Sequence, residues 1–379
     1  CGYKLVIKTI SFETKKLFPT PQKPSISKMA ETEIKMSQEY GENSQNQRSA
    51  LIKTLGHVER VLREMIQNNP SKFEKNDCPF VIVDLGCADG NNAIPVLGLI
   101  VQLIRNVNKD LPIYIYLEDT PFNDYSIAMR KVSSALSKYT KVWIYSTGKS
   151  FYESLFPDNS VDLMISSMAL HWIRKIPCTL DYLFYLESNE MKATENGKLW
   201  EKEAAENWET FLSLRERELK KDGLMILLIP STASTAEDLY FVEKIAAWKT
   251  CLVNSLRKFN IQDDQEYRIP IVGRSLQQLQ APFDEKKTTL QLLEANSFSD
   301  AVKQVDDIEI SASMFLGFFE SFTSEVLKSA MKKNGIEEEL ISQVLEDYYD
   351  KEIRTYFYKS YLQKKSLVLG CCQLIIKKT

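Results

Sequence analysis

The segment Val81-Ile82-Val83-Asp84-Leu85-Gly86-Cys87-Ala88-Asp89-Gly90-Asn91-Asn92 joins an apolar run to a glycine turn and then to the polar opening of a helix. An acid at the tip of a buried strand, followed by glycines, lets the backbone approach a nucleoside-bearing cofactor closely. The spacing argues against the common phosphate binders. A dinucleotide fingerprint needs G-x-G-x-x-G and a P-loop needs G-x-x-x-x-G-K-[ST]. Here the glycines fall as G-x-x-x-G, with no Lys-Ser or Lys-Thr behind them. Asp84 would repel a pyrophosphate and attract an ammonium or a ribose hydroxyl. The wording therefore points to S-adenosylmethionine (SAM); the plain alternative is a strand–helix turn with a capping Asp.

Ligands of open α/β sheets bind outside the carboxyl ends of the strands, so the other strand ends carry the next candidates. Asp119 closes the second expected strand, and a carboxylate offers two acceptor oxygens for a ribose diol. The third strand leads to Ser150, whose hydroxyl can reach an adenine edge, and Phe151, whose ring can face the base. The fourth leads to Ser166, Ser167, Met168, His171 and Trp172. The Trp172 indole N–H and a His171 nitrogen are neutral donors able to hold a carboxylate oxygen. Packing is the commoner role of a His-Trp pair; its place beside the other strand ends raises the functional reading.

These residues need a scaffold. Leu51, Leu55, Val58, Leu62 and Ile66 form one stripe of a helix over 47–67. Strands are expected at 80–85, 113–118, 141–145, 161–166 and 224–229, with helices from 92, over 124–139 and over 200–221. Basic residues near the end of that last helix complement its dipole, and Gly223 would cap it. The alternation implies an α/β fold, a doubly wound and mostly parallel sheet. From 236 to 294 the pattern turns helical and irregular. An aromatic cluster follows within 311–333, then a strong helix over 337–362 and a last strand over 366–376. The expected layout is a flexible leader at 1–28, an α/β core at 29–235, a mainly helical cap at 236–335, and a helix and strand at 336–379 that complete the core. Met29 would make a plausible internal start.

The 379 residues are 44% apolar and 26% charged, with a net charge of −3. There is no basic excess of the kind that marks a nucleic-acid binder. No apolar run approaches the ~20 residues that span a bilayer. Seven scattered cysteines and only two histidines give no C-x-x-C pair, so no metal site is expected and the thiols suit a reducing, cytoplasmic setting. Cys371-Cys372 lie in an expected strand, whose neighbours point to opposite faces.

From about Gly41 to the C-terminus, the chain resembles the plant-type salicylate/benzoic acid/theobromine (SABATH) methyltransferases. Five blocks carry the resemblance in the family's order: Gly41–Ser44, Asp84–Asn92, Asp119–Asp124, Ser150–Pro157 and Ser166–Trp172. It implies SAM-dependent methylation of a small-molecule carboxylic acid, or of a xanthine nitrogen in some members, by a homodimer. It places Ser44, Asp84, Gly86, Asn92, Asp119, Thr120, Ser150, Phe151, Ser166 and Ser167 around SAM. It matches Gln47 and Trp172 to the two donors that position the substrate carboxylate, and puts Met168, His171, Trp248, Phe318 and Phe322 around the substrate. Met168, where many members have Tyr, implies a less polar or larger acid than a small phenolic one. An N-methyltransferase and a binding protein without turnover are the rival readings.

Overall fold

The structure is a computed structural model that describes residues 44–232, 236–262, 267–301, 307–362 and 368–379. The expected leader and the Gly41–Asn43 part of the first block lie outside the described residues. All the described residues belong to one compact unit.

Strand β1 (Phe80–Leu85) is almost entirely buried. Its continuous apolar run is what a strand covered on both faces requires. It pairs in parallel with β2 (Ile113–Asp119) on one side and β4 (Val161–Ser167) on the other. β3 (Val142–Gly148) extends the sheet beyond β2, and β6 (Leu219–Pro230) beyond β4, all parallel. The order therefore reverses between β1 and β4, the switch point at which doubly wound sheets open a crevice. β9 (Val368–Lys377) runs antiparallel to β6 and to the edge strand β8 (Gln291–Ala301), giving the order β3-β2-β1-β4-β6-β9-β8. A two-stranded parallel pair, β5 (Tyr185–Leu186) and β7 (Val272–Gly273), stands apart.

One sheet face packs Ile82, Ile113, Ile115 and Leu117 against α1 (Gln45–Asn68), α3 (Ala93–Val107) and α4 (Tyr125–Leu136). The short α2 (Pro70–Glu74) contributes Phe73 there. The other face packs Val83, Leu85, Met164 and Met225 against Trp208 and Phe211 of α6 (Glu195–Glu218), which follows the four-residue α5 (Asn189–Lys192), and Leu279 of α8 (Leu276–Asp284). Cys371 joins the first cluster and Cys372 the second, as strand alternation demands. A third apolar cluster gathers α7 (Ala236–Lys258), α9 (Ile308–Lys333) and α10 (Glu338–Glu346) around Trp248, Phe315, Phe319 and Tyr348.

Three elements differ from the sequence reading. The segment 291–301, expected to lie within the mainly helical cap, is the edge strand β8. An edge strand faces solvent along much of its length, so it shows little of the apolar pattern by which buried strands are found. The helix expected to end near Lys221 stops at Glu218, and β6 begins at once. Gly223 does not cap it: Asp222 takes the left-handed turn (φ 61°), and a Cβ on Gly223 would lie 2.8 Å from the Lys220 carbonyl. The long C-terminal helix is interrupted by a π-helical turn, Asp347–Ile353, before α11 (Arg354–Leu362). That turn brings Tyr348 and Tyr349 into the third cluster, while Asp347 accepts hydrogen bonds from Ser255 Oγ at 2.9 Å and Lys258 Nζ at 2.8 Å.

Candidate active site

At the end of β1 the chain turns left-handed at Gly86 (φ +77°), Ala88 (φ 46°) and Gly90 (φ +78°). A Cβ on Gly86 would sit 2.3 Å from the Ala169 Cβ, so only glycine lets the loops after β1 and β4 close on each other. The turn is bound to the end of β2. Gly86 N donates to Glu118 Oε2 at 3.0 Å, and Ala88 N to Asp119 Oδ2 at 2.7 Å. Thr120 N donates to the other Asp119 oxygen at 2.7 Å. Asn123 Nδ2 bonds the Ala88 carbonyl at 2.8 Å, and Lys131 pairs with Asp89 at 2.5 Å. Asn92, just before α3, donates to Ser44 Oγ at 3.1 Å.

Three carboxyl groups meet here, Asp84 and Glu118 buried and Asp119 half-buried. Burial, and then the Asp119 charge, push Asp84 up to about 7. Burial raises Asp119 to about 6 against the two backbone N–H groups that favour its ionised form. Glu118 is pushed well above the carboxylate range by burial and Asp119, with Arg215 opposing. The Asp84 carboxylate makes no hydrogen bond among the described residues. The Cys87 thiol is raised as well, by burial and then by Asp119, and stays protonated. Such a site attracts a cation and neutral hydroxyls and repels phosphate.

A cavity of about 310 Å³ opens over these strand ends. Asp84, Gly86, Asn92, Asp119 and Thr120 line it from β1 and β2, and Ser150 and Phe151 from the loop after β3. A buried pair on α6 holds that loop. Arg215 donates to the Phe151 carbonyl at 3.1 Å and to the Glu153 carbonyl at 2.7 Å, and Leu155 N donates to Glu218 at 2.7 Å. Arg215 and Glu218 are themselves paired at 3.0 Å. Ser167, Met168, Trp172, Ile173 and Arg174 complete the wall from the loop after β4. Met168 is left-handed (φ 63°), uncommon for a bulky side chain; its N–H is held at 2.7 Å by the Leu228 carbonyl. Tyr152, also in the wall, donates from its hydroxyl to the Trp172 carbonyl at 2.7 Å.

The other sequence candidates do not line this cavity. Ser44 reaches the site through Asn92. Ser166 faces inward and donates to the Leu85 carbonyl at 2.9 Å, tying β4 to β1. Gln47 is only 6% exposed, in the first turn of α1, and its Oε1 is buried with no hydrogen-bond partner among the described residues. His171 is half-buried, with Nδ1 sealed from solvent and without a partner among the described residues; burial, then Arg274, push its pKa down to about 3, so the ring is neutral. Trp248 lies inside the third cluster, 4.7 Å from Phe319 between ring centres. Phe318 and Phe322 pack on each other at 5.2 Å. Sequence reasoning assigned no role to Tyr152, Arg174 or Arg215. Tyr152 lies within the Ser150–Pro157 block and Arg174 two residues beyond the Ser166–Trp172 block, while Arg215 carried only the signal of a basic residue near a helix end.

A doubly wound sheet with a final antiparallel strand, and carboxylates where phosphate binders carry N–H donors, define the SAM-methyltransferase class of fold. The structure of a loganic acid methyltransferase with SAH superposes with a TM-score of 0.73, covering 92% of this chain and 99% of that one at 18% identity. The chain belongs to the SAM dependent carboxyl methyltransferase family, whose model matches residues 27–368. It is 29% identical over 238 residues to the salicylate/benzoate carboxyl methyltransferase of Arabidopsis thaliana, covering 59% of this chain and 61% of that one. It is 27% identical over 210 residues to the loganic acid O-methyltransferase of Catharanthus roseus, covering 52% and 55%. A probable caffeine synthase 5 of Camellia sinensis matches at 29% over 218 residues, covering 53% and 60%. The matched stretch is thus under two thirds of the length of each of these three relatives. Among the described residues no helix is long and apolar enough to cross a membrane, and no group of acids, histidines and cysteines could hold a metal ion.

Proposed function

We propose that this protein methylates a small-molecule carboxylic acid at the carboxylate oxygen, with SAM as donor. The observation that carries the reading is the cavity's charge: Asp84 opens on it as a carboxylate with no hydrogen bond among the described residues, beside a second, half-buried acid, Asp119. That arrangement suits a cofactor bearing a sulfonium and an ammonium. Asp84 would receive the ammonium. Asp119 keeps a free lone pair on each oxygen, beyond the two taken by backbone N–H groups, for the ribose hydroxyls. The Gly86 turn would admit the cofactor's close approach, Phe151 would cover the adenine, and Ser150 would meet its edge. Thr120, Ser167 and Asn92 line the same space, with Ser44 behind Asn92.

When bound, SAM supplies an electrophilic methyl group. An acid is already ionised at neutral pH, so the chain's residues need only orient it and exclude water. Trp172 offers an indole N–H that makes no hydrogen bond among the described residues. Gln47 has an unsatisfied amide end, and turning the amide over exchanges its oxygen for N–H donors. Neutral donors hold a carboxylate without quenching the charge that attacks. Positioning of this kind supplies roughly 7–11 kcal/mol. Met168 would form an apolar side of the acid's pocket. The neutral His171 and the aromatic residues Trp248, Phe318 and Phe322 would act on the acid from outside the cavity as it stands.

The direct test is transfer of labelled methyl from SAM to a panel of free acids, with xanthines for contrast. Alkali-labile label on an acid is expected, lowered at least ~100-fold in Trp172→Ala while SAM still binds. Label on xanthines alone would move the reaction to N-methylation. SAM binding with no product from the panel would favour the binding-only rival. On the family resemblance the protein is also proposed to be a cytoplasmic homodimer; a sedimenting mass of one chain would remove the dimer.

A further inference from the structure

Arg174 is the only base among the described residues that line the cavity. Its main chain is fixed: the N–H donates at 3.0 Å to Oδ1 of Asn207, which is fully buried and bonded in turn to Glu203. Its guanidinium makes no hydrogen bond or ion pair among the described residues. It lies over the Tyr152 ring, 6.0 Å from the centroid. The Tyr152 hydroxyl is bonded to the Trp172 carbonyl, and its ring rests edge-on against Phe151 at 4.8 Å. The tyrosine therefore touches both the main chain of Trp172, whose side chain belongs to the proposed carboxylate clamp, and the guanidinium.

The acids facing the same space do not satisfy it. Asp89 is paired with Lys131, Glu153 lies 3.9 Å from Lys149, Asp119 is bonded to two N–H groups, and Asp84 contacts no base. A half-buried guanidinium on an aromatic face, with its fork of donors free, is built to receive a planar anion. Placing the reacting carboxylate there would stabilise the charge that must attack.

Resting on the carboxyl-methylation reading, we infer that the substrate carries a second anionic group, distal to the reacting carboxylate, which Arg174 receives. The larger acid implied by Met168 is retained; the less polar one is replaced by an acid charged at its far end. Without such a cation this acidic cavity would reject a dianion, so the residue sets specificity through a difference between two acids.

The experiment compares matched pairs, benzoate with terephthalate and decanoate with sebacate, in the wild type, Arg174→Met and Arg174→Lys. The ratio of kcat/KM for diacid over monoacid is expected to exceed one in the wild type. It should fall roughly 10- to 100-fold in Arg174→Met, the scale of hydrogen bonds to a charged group, with partial recovery in Arg174→Lys. A non-reacting anchor changes the diacid's KM rather than its kcat. An unchanged ratio, with acids still methylated, would overturn the inference and leave carboxyl methylation standing. Weaker SAM binding with an unchanged ratio would assign Arg174 to the cofactor and overturn it too. If no acid is methylated, calorimetric binding of terephthalate with saturating SAM decides: binding that Arg174→Met abolishes supports the anion site, and binding indifferent to the substitution removes it.

Discussion

Asp84 is an acid held where its charge is disfavoured. Burial and Asp119 raise it from 3.8 to about 7, so between those values the folded chain holds a proton that the unfolded chain has released. Stability from this group is therefore full below about 3.8 and is lost as pH rises through about 7. A cationic cofactor reverses the preference, because it favours the ionised form. SAM affinity is then expected to weaken as pH falls from 8 to 6, approaching tenfold per unit below 7 if one proton is displaced. Asp84→Asn should melt higher without cofactor and flatten the pH dependence of that midpoint, while losing about 100-fold in SAM affinity. Thermal unfolding and calorimetry over that pH range check both. A variant that binds SAM like the wild type would remove Asp84 from the cofactor site. Asp84 and Asp119 were legible in the sequence because each ends an apolar run. Arg174 was not, because a charge after a strand reads as ordinary loop polarity until its lack of a partner is seen.

At the scale of elements, the loop after β3 shows how a wall of the cavity is held from behind. Arg215 and Glu218 are fully buried on α6, and together they bind main-chain groups of Phe151, Glu153 and Leu155. Removing one member of a buried pair costs about 3–5 kcal/mol, whereas replacing both by apolar groups is often neutral. Arg215→Met should therefore lower the melting temperature and weaken SAM binding. Arg215→Met with Glu218→Leu should regain stability but not cofactor affinity, because the bonds from α6 to the main chain of Phe151, Glu153 and Leu155 are then gone. If the double variant recovers both, the pair serves stability alone. In the sequence Arg215 was one of several basic residues near a helix end, where dipole complementarity explained them all. Burial distinguishes it, and burial of one helical arginine is a tertiary fact. β1, β2 and β4 were readable for the opposite reason: strands covered on both faces must be apolar throughout, while the half-exposed edge strand β8 is under no such demand.

Across the whole molecule, the segment 168–173 is anchored in all three apolar clusters. Met168 packs in the cluster under α1, α3 and α4, Ala169 and Leu170 in that under α6, and Trp172 and Ile173 in that of α7, α9 and α10. The acids at the end of β2 are held by the Gly86 turn, by Thr120 and by Tyr125 of α4, none of which belongs to the third cluster. The two halves of the site therefore depend on different parts of the core, and a cavity in the third cluster should separate them. Phe319 is fully buried and touches the rings of Trp248, Phe315, Tyr348 and Tyr349. Phe319→Ala should cost about 3–5 kcal/mol. Because the cluster it loosens also holds Trp172, methyl transfer should fall about tenfold or more at saturating acid. SAM affinity, on the proposed role of Asp84, Asp119 and the Gly86 turn, should change less than about twofold. Measuring both on the folded variant below its melting temperature tests the division. A parallel loss of cofactor affinity would mean that the three clusters act as one core, and that the acid and cofactor halves cannot be tuned apart.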